Sequence, residues 1–260
     1  MARPARAGAA ARRRSVSTPI LTVSGVRVSY GRIEAVRGVD LTVGPGEFVG
    51  VIGSNGAGKS SLLRAIAGVL KPAAGRVTFD GCDVTGLPSH RLVARGLALV
   101  PEGRMIFADQ TVWENLLLGG YSRLRRDRQR LGAERERILD LFPLLRERLQ
   151  EEAGTLSGGE QQMLAIARGL LSSPRLLVID ELSLGLAPLV LDMLFPVLRD
   201  LNQQGLSILL VEQMASYALA VTDRTYVMEN GQMLFNGPSA ELAHDARVLN
   251  AYLGSRTRAS

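Results

Sequence analysis

The sequence predicts an α/β fold in which a mixed-sheet core is interrupted by a mainly helical insertion. Residues 176–179 and 207–211 are almost wholly apolar, which is typical of central parallel strands with both faces covered. A third apolar run, at 48–52, leads into a glycine-rich loop and then into a helix with apolar periodicity from 60 to 70. From about residue 88 to 150 the pattern turns helical, so we place the insertion at about 88–165.

The other elements follow from hydrophobic period and turn residues. Alternation of apolar and polar residues indicates strands, and Asp-Gly or Asn-Gly between two such segments indicates a hairpin. In chain order, the predicted elements are strands at 21–23, 26–30, 39–43 and 76–79, a hairpin turn at 80–81, helices at 111–118, around 123–145 and from 160 to about 171, and a hairpin of strands 225–228 and 232–235 around Asn230-Gly231.

Composition fits one large globular domain, or a domain with a subdomain, because 260 residues can bury a sizeable core. The single cysteine, Cys82, excludes an internal disulfide framework and fits a reducing compartment. No run approaches a membrane-spanning length of about 18 apolar residues, and the apolar piece at 7–11 is too brief for a signal-peptide core. We therefore expect the protein to stay in the cytoplasm.

Charge is concentrated at the start of the chain. The net charge is +6 and the pI about 10.1, but residues 1–18 contain five arginines and no acid, and without them 26 basic residues stand against 25 acidic ones. We expect residues 1–18 to be a disordered basic tail. It is either a solvated extension without specific function or a contact for anionic lipid or RNA, and the near-neutral body predicts no specific nucleic-acid partner.

Residues 53–60, Gly-Ser-Asn-Gly-Ala-Gly-Lys-Ser, match the phosphate-binding pattern G-x-x-x-x-G-K-[ST] between a strand and a helix. The glycines let successive backbone N–H groups face phosphate oxygens, and the helix adds its positive N-terminal end. Lys59 supplies a full charge to the β- and γ-phosphates, and Ser60 offers a hydroxyl ligand to Mg²⁺. The motif predicts a nucleotide-binding P-loop core but not the kind of NTPase.

Residues 156–162, Leu-Ser-Gly-Gly-Glu-Gln-Gln, form a second segment with the composition of an anion site. A hydroxyl and two glycines open a helix whose first amides could bind phosphate; an ordinary capped helix start would not explain the whole heptapeptide. Ser157 lies 98 positions after Lys59 and 23 before Asp180. On these motifs the chain, from about residue 20 to 254, resembles the nucleotide-binding subunits of ABC transporters.

The resemblance implies the ABC ATPase fold over residues 19–256, a P-loop NTPase core with a mixed sheet, an N-terminal antiparallel β subdomain and an inserted α-helical subdomain. It also implies that two chains meet head to tail around two ATP molecules with Mg²⁺. Tyr30 matches the family's adenine-stacking aromatic, although it could be only a strand-edge residue. The implied cofactor-binding residues are Tyr30, Gly53, Ser54, Asn55, Gly56, Ala57, Gly58, Lys59, Ser60 and Ser61, with Ser157, Gly158 and Gly159 acting in trans.

Asp180 and Glu181 follow the apolar run 176–179, which puts two carboxylates at the C-terminal end of a strand. Asp180 is predicted to hold Mg²⁺ or its water. Glu181 resembles the family's general base for the attacking water, and adjacent side chains on a strand point in opposite directions, so the two can take different roles. A solvated acidic pair is the alternative, which the two phosphate loops disfavour. The predicted metal ligands are Ser60, Asp180 and Glu102, and the predicted catalytic residues are Glu181, Lys59 and Gln213.

Two of these residues depart from the general family pattern. Glu102 stands where a glutamine is common; it keeps an oxygen for Mg²⁺ but adds negative charge. Gln213 stands where a histidine is common; it can sense a γ-phosphate but carries no proton at neutral pH. Together with residues 183–188 and 226–231, these departures resemble the smaller ATPase subunit of branched-chain amino acid importers, apart from Leu182 and Met214, where that subgroup usually has proline and asparagine.

This resemblance implies two transmembrane permease partners docked near residues 102–113, a second and paralogous ABC ATPase, and a solute-binding protein acting indirectly. The chain would then be peripheral, on the cytoplasmic face of the plasma membrane. Urea or short amides are alternative substrates. A soluble ABC ATPase acting on DNA, ribosomes or iron–sulfur assembly and a non-hydrolysing nucleotide clamp are alternative functions. His90 and His244 are expected to be surface residues.

Overall fold

A computed structural model describes residues 18–121, 123 and 128–253. Within these residues, no helix combines the length and the hydropathy that crossing a membrane requires. The predicted basic tail lies outside the described residues except for Thr18, as do positions 254–256 of the predicted domain. The described part of the chain forms two sheets with helices around the larger one, which confirms the predicted α/β class.

The strands are β1 (Leu21–Tyr30), β2 (Ile33–Val43), β3 (Phe48–Ile52), β4 (Ala74–Phe79), β5 (Cys82–Asp83), β6 (Leu97–Val100), β7 (Leu176–Asp180), β8 (Ser207–Glu212), β9 (Arg224–Glu229) and β10 (Gln232–Pro238). The smaller sheet is antiparallel, in the order β2-β1-β4-β5, and confirms the expected N-terminal β subdomain. The larger sheet has the order β10-β9-β3-β8-β7-β6 and is mixed, because β10 runs antiparallel to β9 while the other pairs are parallel.

Along the chain, most of the helices lie in the connections between strands of the larger sheet. The helices are α1 (Lys59–Ile66), α2 (Ser89–Ala94), α3 (Val112–Gly119), α4 (Arg128–Leu141), α5 (Pro143–Glu147), α6 (Gly158–Leu170), α7 (Pro188–Gln203), α8 (Ala215–Val221), α9 (Ser239–Leu242) and α10 (Ala246–Val248), with a 3₁₀ turn at Ala153–Thr155 and a π turn at Leu249–Leu253.

The helical pattern predicted from residue 88 is wrong over β6, because this short strand has the same apolar composition as a buried helical segment. The predicted helix around 123–145 is divided at Phe142, since Pro143 occupies the first turn of a new helix. Helix α1 also ends before the predicted position 70. Gly68 leaves it with a φ of +67°, a conformation that glycine adopts without strain.

The core explains where the loops of the larger sheet meet. Strands β3 and β7 are buried along their whole length, and one apolar cluster packs the two sheets together while another packs α6 and α7 against the larger sheet. The registers pair Ile52 with Glu212 and Asp180 with Val211, so the carboxyl ends of β3, β8 and β7 lie side by side. The segments that follow these strands therefore converge on one edge, as in other open α/β sheets.

Candidate nucleotide-binding site

The loop after β3 is closed so tightly that two of its glycines have no room for a side chain. A Cβ on Gly53 would lie 2.4 Å from the carbonyl oxygen of Met228, and one on Gly58 would lie 2.3 Å from that of Ala35. Gly58 also has a φ of +101°, a conformation that side chains rarely adopt. The loop can therefore present backbone amides close to a ligand, as a phosphate cradle requires.

Lys59 opens α1, and its side chain is folded back into the loop. It is buried, and its ammonium donates to the carbonyl oxygens of Gly53 at 2.9 Å and Ser54 at 3.1 Å. The same nitrogen lies 3.3 Å from Oε1 of Glu181, forming an ion pair that is almost completely buried. Because a buried charge needs compensation, this arrangement holds a positive charge ready at the cradle for an anionic ligand.

Ser60, in the first turn of α1, and Asp180, at the end of β7, bring two oxygen atoms together beside the phosphate loop. The Ser60 hydroxyl donates to Oδ1 of Asp180 at 3.2 Å, and Asp180 is 4% exposed. The pKa of Asp180 is raised to about 6, chiefly by burial; the Ser60 hydrogen bond opposes the rise, and nearby Glu181 and Glu102 contribute to it. A buried carboxylate beside a hydroxyl is the hard oxygen donor set that Mg²⁺ takes together with phosphate oxygens and water.

The described residues contain no cluster of three or more histidine, cysteine, aspartate or glutamate side chains able to hold a metal ion by themselves. The Ser60–Asp180 pair therefore fits a Mg²⁺ ion that arrives bound to a nucleotide better than a Mg²⁺ ion held by protein ligands alone. Glu102, the third predicted ligand, lines a cavity of about 480 Å³ together with Asp180.

The side chains of Asp180 and Glu181 take different directions because the chain turns at Glu181, not because both residues alternate along a strand. This corrects the explanation drawn from the sequence. Asp180 ends β7, and Glu181 has a φ of +49°, a left-handed conformation that costs energy in a residue with a side chain. Its backbone N–H donates to the carbonyl of Val211 at 2.9 Å. The turn directs the carboxylate toward Lys59.

These groups surround one open cleft of about 450 Å³. Its walls come from β2, the phosphate loop with the start of α1, the segment after β6, the turn after β7 and the segment after β8, so five parts of the chain meet there. The residues that line it are Ala35, Asn55, Gly56, Gly58, Lys59, Ser60, Ser61, Glu102, Glu181, Leu184 and Gln213. The predicted catalytic residues Lys59, Glu181 and Gln213 thus line one cleft, and Gln213 is exposed there.

The remaining predicted residues of the same chain lie at the border of this cleft. Tyr30 is 45% exposed, and its hydroxyl lies 3.4 Å from Oγ of Ser61, so its ring is free to contact a ligand. Ser54 belongs to the loop itself, where its backbone carbonyl accepts a hydrogen bond from the backbone N–H of Ala57 at 3.1 Å. His90 and His244 are exposed, as expected, and do not line the cleft.

The second predicted phosphate segment begins α6 and lies apart from this cleft. Ser157 is its N-cap: its hydroxyl accepts the amide of Glu160 at 3.4 Å, and its own amide donates to the Glu160 carboxylate at 2.7 Å, completing a capping box. A Cβ on Gly158 would lie 2.9 Å from the Arg104 guanidinium, and one on Gly159 would lie 2.8 Å from Val190. None of Ser157, Gly158 and Gly159 lines the Lys59 cleft, which is compatible with a role in trans.

Several residues were missed by sequence reasoning. Ala35 and Leu184 line the cleft, but neither carries a chemical group that would mark it. Glu212 and Ser183 form a buried hydrogen-bonded pair beside the cleft; an acidic residue ending an otherwise apolar strand was the signal that could have found it. Asn115 is completely buried and holds the loop after Arg104 through bonds to both backbone groups of Phe107.

A strand, a glycine loop with a buried lysine, and carboxylates at neighbouring strand ends define a P-loop nucleotide-binding protein. The chain belongs to the ABC transporter family, whose model matches residues 36–183. It is therefore an ATP-binding subunit of the ABC type, and it resembles the ATP-binding subunits of branched-chain amino acid importers.

The similarity extends over nearly the whole chain. The chain is 44% identical over 235 residues to the high-affinity branched-chain amino acid transport ATP-binding protein BraG of Pseudomonas aeruginosa, with 90% of this chain and 100% of BraG covered. It is 30% identical over 241 residues to the lipopolysaccharide export system ATP-binding protein LptB of Haemophilus influenzae, with 91% and 98% covered. The ADP conformation of an ATP-binding cassette of an ABC transporter superposes with a TM-score of 0.79 at 29% identity, covering 92% of this chain and 100% of that one.

Proposed function

We propose that the chain binds and hydrolyses ATP with Lys59, Glu181 and Gln213 as its catalytic residues, and that this hydrolysis powers an importer of branched-chain amino acids. The observation that carries the proposal is the buried Lys59–Glu181 pair at 3.3 Å, set beside the Ser60–Asp180 oxygen pair at the end of the phosphate loop. Family membership supports ATP hydrolysis in general. The geometry supports a specific assignment of roles.

The cradle amides and Lys59 would bind the β- and γ-phosphates, and Tyr30 would stack on the adenine. Ser60 and Asp180, with Glu102, would hold Mg²⁺, which when bound supplies positive charge to the phosphates. Glu181 faces the cleft next to Lys59, where it can orient a water and accept its proton. Gln213, on another wall, can hydrogen-bond a γ-phosphate oxygen but has no proton to give.

The site would be completed by a partner ATPase, which supplies its counterpart of the Ser157–Gly159 segment. That segment begins a 13-residue helix whose N-terminal end carries the positive pole of the helix dipole, and it does not line the cleft of its own chain. ATP binding would close the two subunits and hydrolysis would reopen them, moving permeases docked near residues 102–113 on the cytoplasmic face of the membrane. We propose a paralogue as the partner and a domain spanning residues 19–256.

Branched-chain amino acids are favoured as the transported molecules because identity to BraG is 44%, against 30% to LptB, the lipopolysaccharide export protein. Urea or short amides stay as alternatives. Purification of a tagged chain together with its membrane partners would test this proposal. Two permeases and a second ATPase should co-purify, and vesicles of the complex should hydrolyse ATP faster with an amino-acid-loaded binding protein than with a urea-loaded one.

The catalytic assignment is tested by Glu181→Gln and Lys59→Ala in a phosphate-release assay and a nucleotide-binding assay. Glu181→Gln should keep ATP affinity and lower turnover about 10²- to 10⁴-fold, which is the usual contribution of a general base. Lys59→Ala should weaken ATP binding itself. Glu241→Gln and Lys71→Ala change exposed residues away from the cleft and serve as matched controls. Undiminished turnover in Glu181→Gln would remove Glu181 from the role of base.

A further inference from the structure

Glu212 is a completely buried acidic residue beside the cleft, and the roles assigned above do not use it. It is the last residue of β8 and directly precedes Gln213. Both of its carboxylate oxygens accept hydrogen bonds from Ser183, at 2.9 Å from the backbone N–H and at 2.6 Å from the hydroxyl. Ser183 is itself buried and lies two residues after Glu181. One side chain thus joins the turn that carries Glu181 to the segment that carries Gln213.

The joined turn is one that needs support. Glu181 is held at a φ of +49°, and strained backbone of this kind persists only when its surroundings fix it. Strand β8 provides two consecutive anchors: the Val211 carbonyl accepts the N–H of Glu181, and the Glu212 carboxylate accepts the N–H of Ser183. Between them, Leu182 is completely buried in the core. The turn is therefore fixed on both sides of Glu181.

A purely structural strand end would not need a carboxylate. The other five residues of β8 are buried too, and only its first, Ser207, is polar, so an aliphatic residue would fill position 212 without the cost of burying a charge. The nearby charged group that acts on Glu212 is Glu181, which disfavours its ionised form further. A buried carboxylate placed between the proposed base and the proposed sensor indicates a role in the reaction geometry.

We propose that Glu212 is a positioning residue for ATP hydrolysis: through Ser183 it holds Glu181 beside Lys59, and it fixes where Gln213 enters the cleft. It is completely buried and is not among the residues that line the cleft, so its proposed role is to position other groups. The inference rests on the proposed function, because it assumes that Glu181 activates the water. Loss of this support displaces the base, and a misplacement of about 1 Å can lower a rate about 100-fold.

The test compares Glu212→Met, Glu212→Gln and Ser183→Ala with the wild type by steady-state ATP hydrolysis, with thermal melting to monitor the fold. Glu212→Met removes both acceptors, so kcat per folded molecule should fall about 10- to 100-fold while KM for ATP stays within about threefold. In Glu212→Gln the amide oxygen still accepts the Ser183 N–H and its NH₂ can donate to the hydroxyl, so kcat should stay within about threefold. Ser183→Ala loses only one bond and should lie between them.

Three results would overturn the inference: a folded Glu212→Met with wild-type kcat, a raised KM with unchanged kcat, or Glu212→Gln as impaired as Glu212→Met. A merely structural role would lower the melting temperature and the folded fraction without changing kcat per folded molecule. Glu181→Gln, measured alongside, separates the two claims. Unchanged turnover in Glu181→Gln rejects the proposed function and this inference together, whereas a large loss there with an active Glu212→Met rejects the inference alone.

Discussion

Replacing Glu212 by glutamine should remove a specific pH dependence from the stability of the protein. The pKa of this carboxyl is raised from 4.5 to about 7, chiefly by burial; the two hydrogen bonds from Ser183 oppose the rise, and the charge of Glu181 contributes to it. In the unfolded chain the carboxyl returns to its ordinary pKa, so between these two values the folded state binds a proton that the unfolded state does not. The resulting stabilisation is complete below pH 4.5 and is lost as the pH rises through about 7.

The size of the effect follows from these two values. The full interval corresponds to about 3 kcal/mol, since each pKa unit is worth about 1.4 kcal/mol. A narrower range is easier to measure: between about pH 6 and about pH 8 the folding equilibrium constant of the wild type should fall about tenfold relative to that of Glu212→Gln. Glutamine is nearly isosteric and keeps one acceptor, so the comparison isolates ionisation.

The assay is urea unfolding of the nucleotide-free protein in a chelating buffer, so that metal binding at Asp180 does not contribute. The fluorescence of Trp113, the single tryptophan, and far-UV circular dichroism must give coincident curves for the free energy of unfolding to be defined. Glu241→Gln, an exposed acid-to-amide change, should follow the wild type. A free-energy difference between wild type and Glu212→Gln that stays constant from about pH 6 to about pH 8 would refute the reasoning that burial dominates at this carboxyl.

Two further predictions concern backbone geometry. Gly58→Ala should lower ATP affinity at least about tenfold in a fluorescent-nucleotide titration, because its Cβ would meet the Ala35 carbonyl at 2.3 Å and the φ of +101° strains any side chain. The control is Gly56→Ala, where the φ is +80° but the added Cβ would meet no atom within 4 Å, so its affinity should fall much less. Equal losses of affinity in the two variants would contradict the steric explanation. Asn115→Leu should lower the melting temperature, because it removes hydrogen bonds to Phe107 and Thr111, at a cost of about 1–3 kcal/mol for each buried group left unpaired. ATP affinity in the same titration should stay within about twofold. An unchanged melting temperature would contradict the assigned role of Asn115.

The fold could be predicted from the sequence wherever local pattern and tertiary environment agree. The apolar runs of β3 and β7 are buried along their whole length, and the Asn230-Gly231 hairpin joins β9 to β10, because their composition leaves few alternatives. Strand β6 escaped detection since four apolar residues between helices carry no period of their own. Its identity as a strand is decided by pairing with β7, which lies far away in the sequence.

The candidate site, like the fold, could be predicted from the sequence only in part. Motifs at strand ends predicted that Ser60 and Asp180 would act together, and their side chains meet at 3.2 Å although 120 residues separate them. Contacts without a motif could not be anticipated: the Lys59–Glu181 ion pair depends on the left-handed turn at Glu181, and the Glu212–Ser183 pair depends on the register of two strands. The trans role of Ser157 and the stacking of Tyr30 stay predictions, because they concern a second chain and a nucleotide.

The Lys59–Glu181 ion pair would link nucleotide binding to the proposed role of Glu181 in ATP hydrolysis. The Lys59 ammonium is shared among two carbonyl oxygens and the Glu181 carboxylate, all in a nearly buried setting. A triphosphate carries more negative charge than this single carboxylate, so we expect it to take Lys59 as its partner. Glu181 then loses its counter-ion while its backbone stays fixed between Val211 and Glu212. Under the proposed function, a carboxylate released in a fixed position can bind a water as soon as the phosphates arrive, and the proposed base, held there by β8, needs no further rearrangement to act on that water.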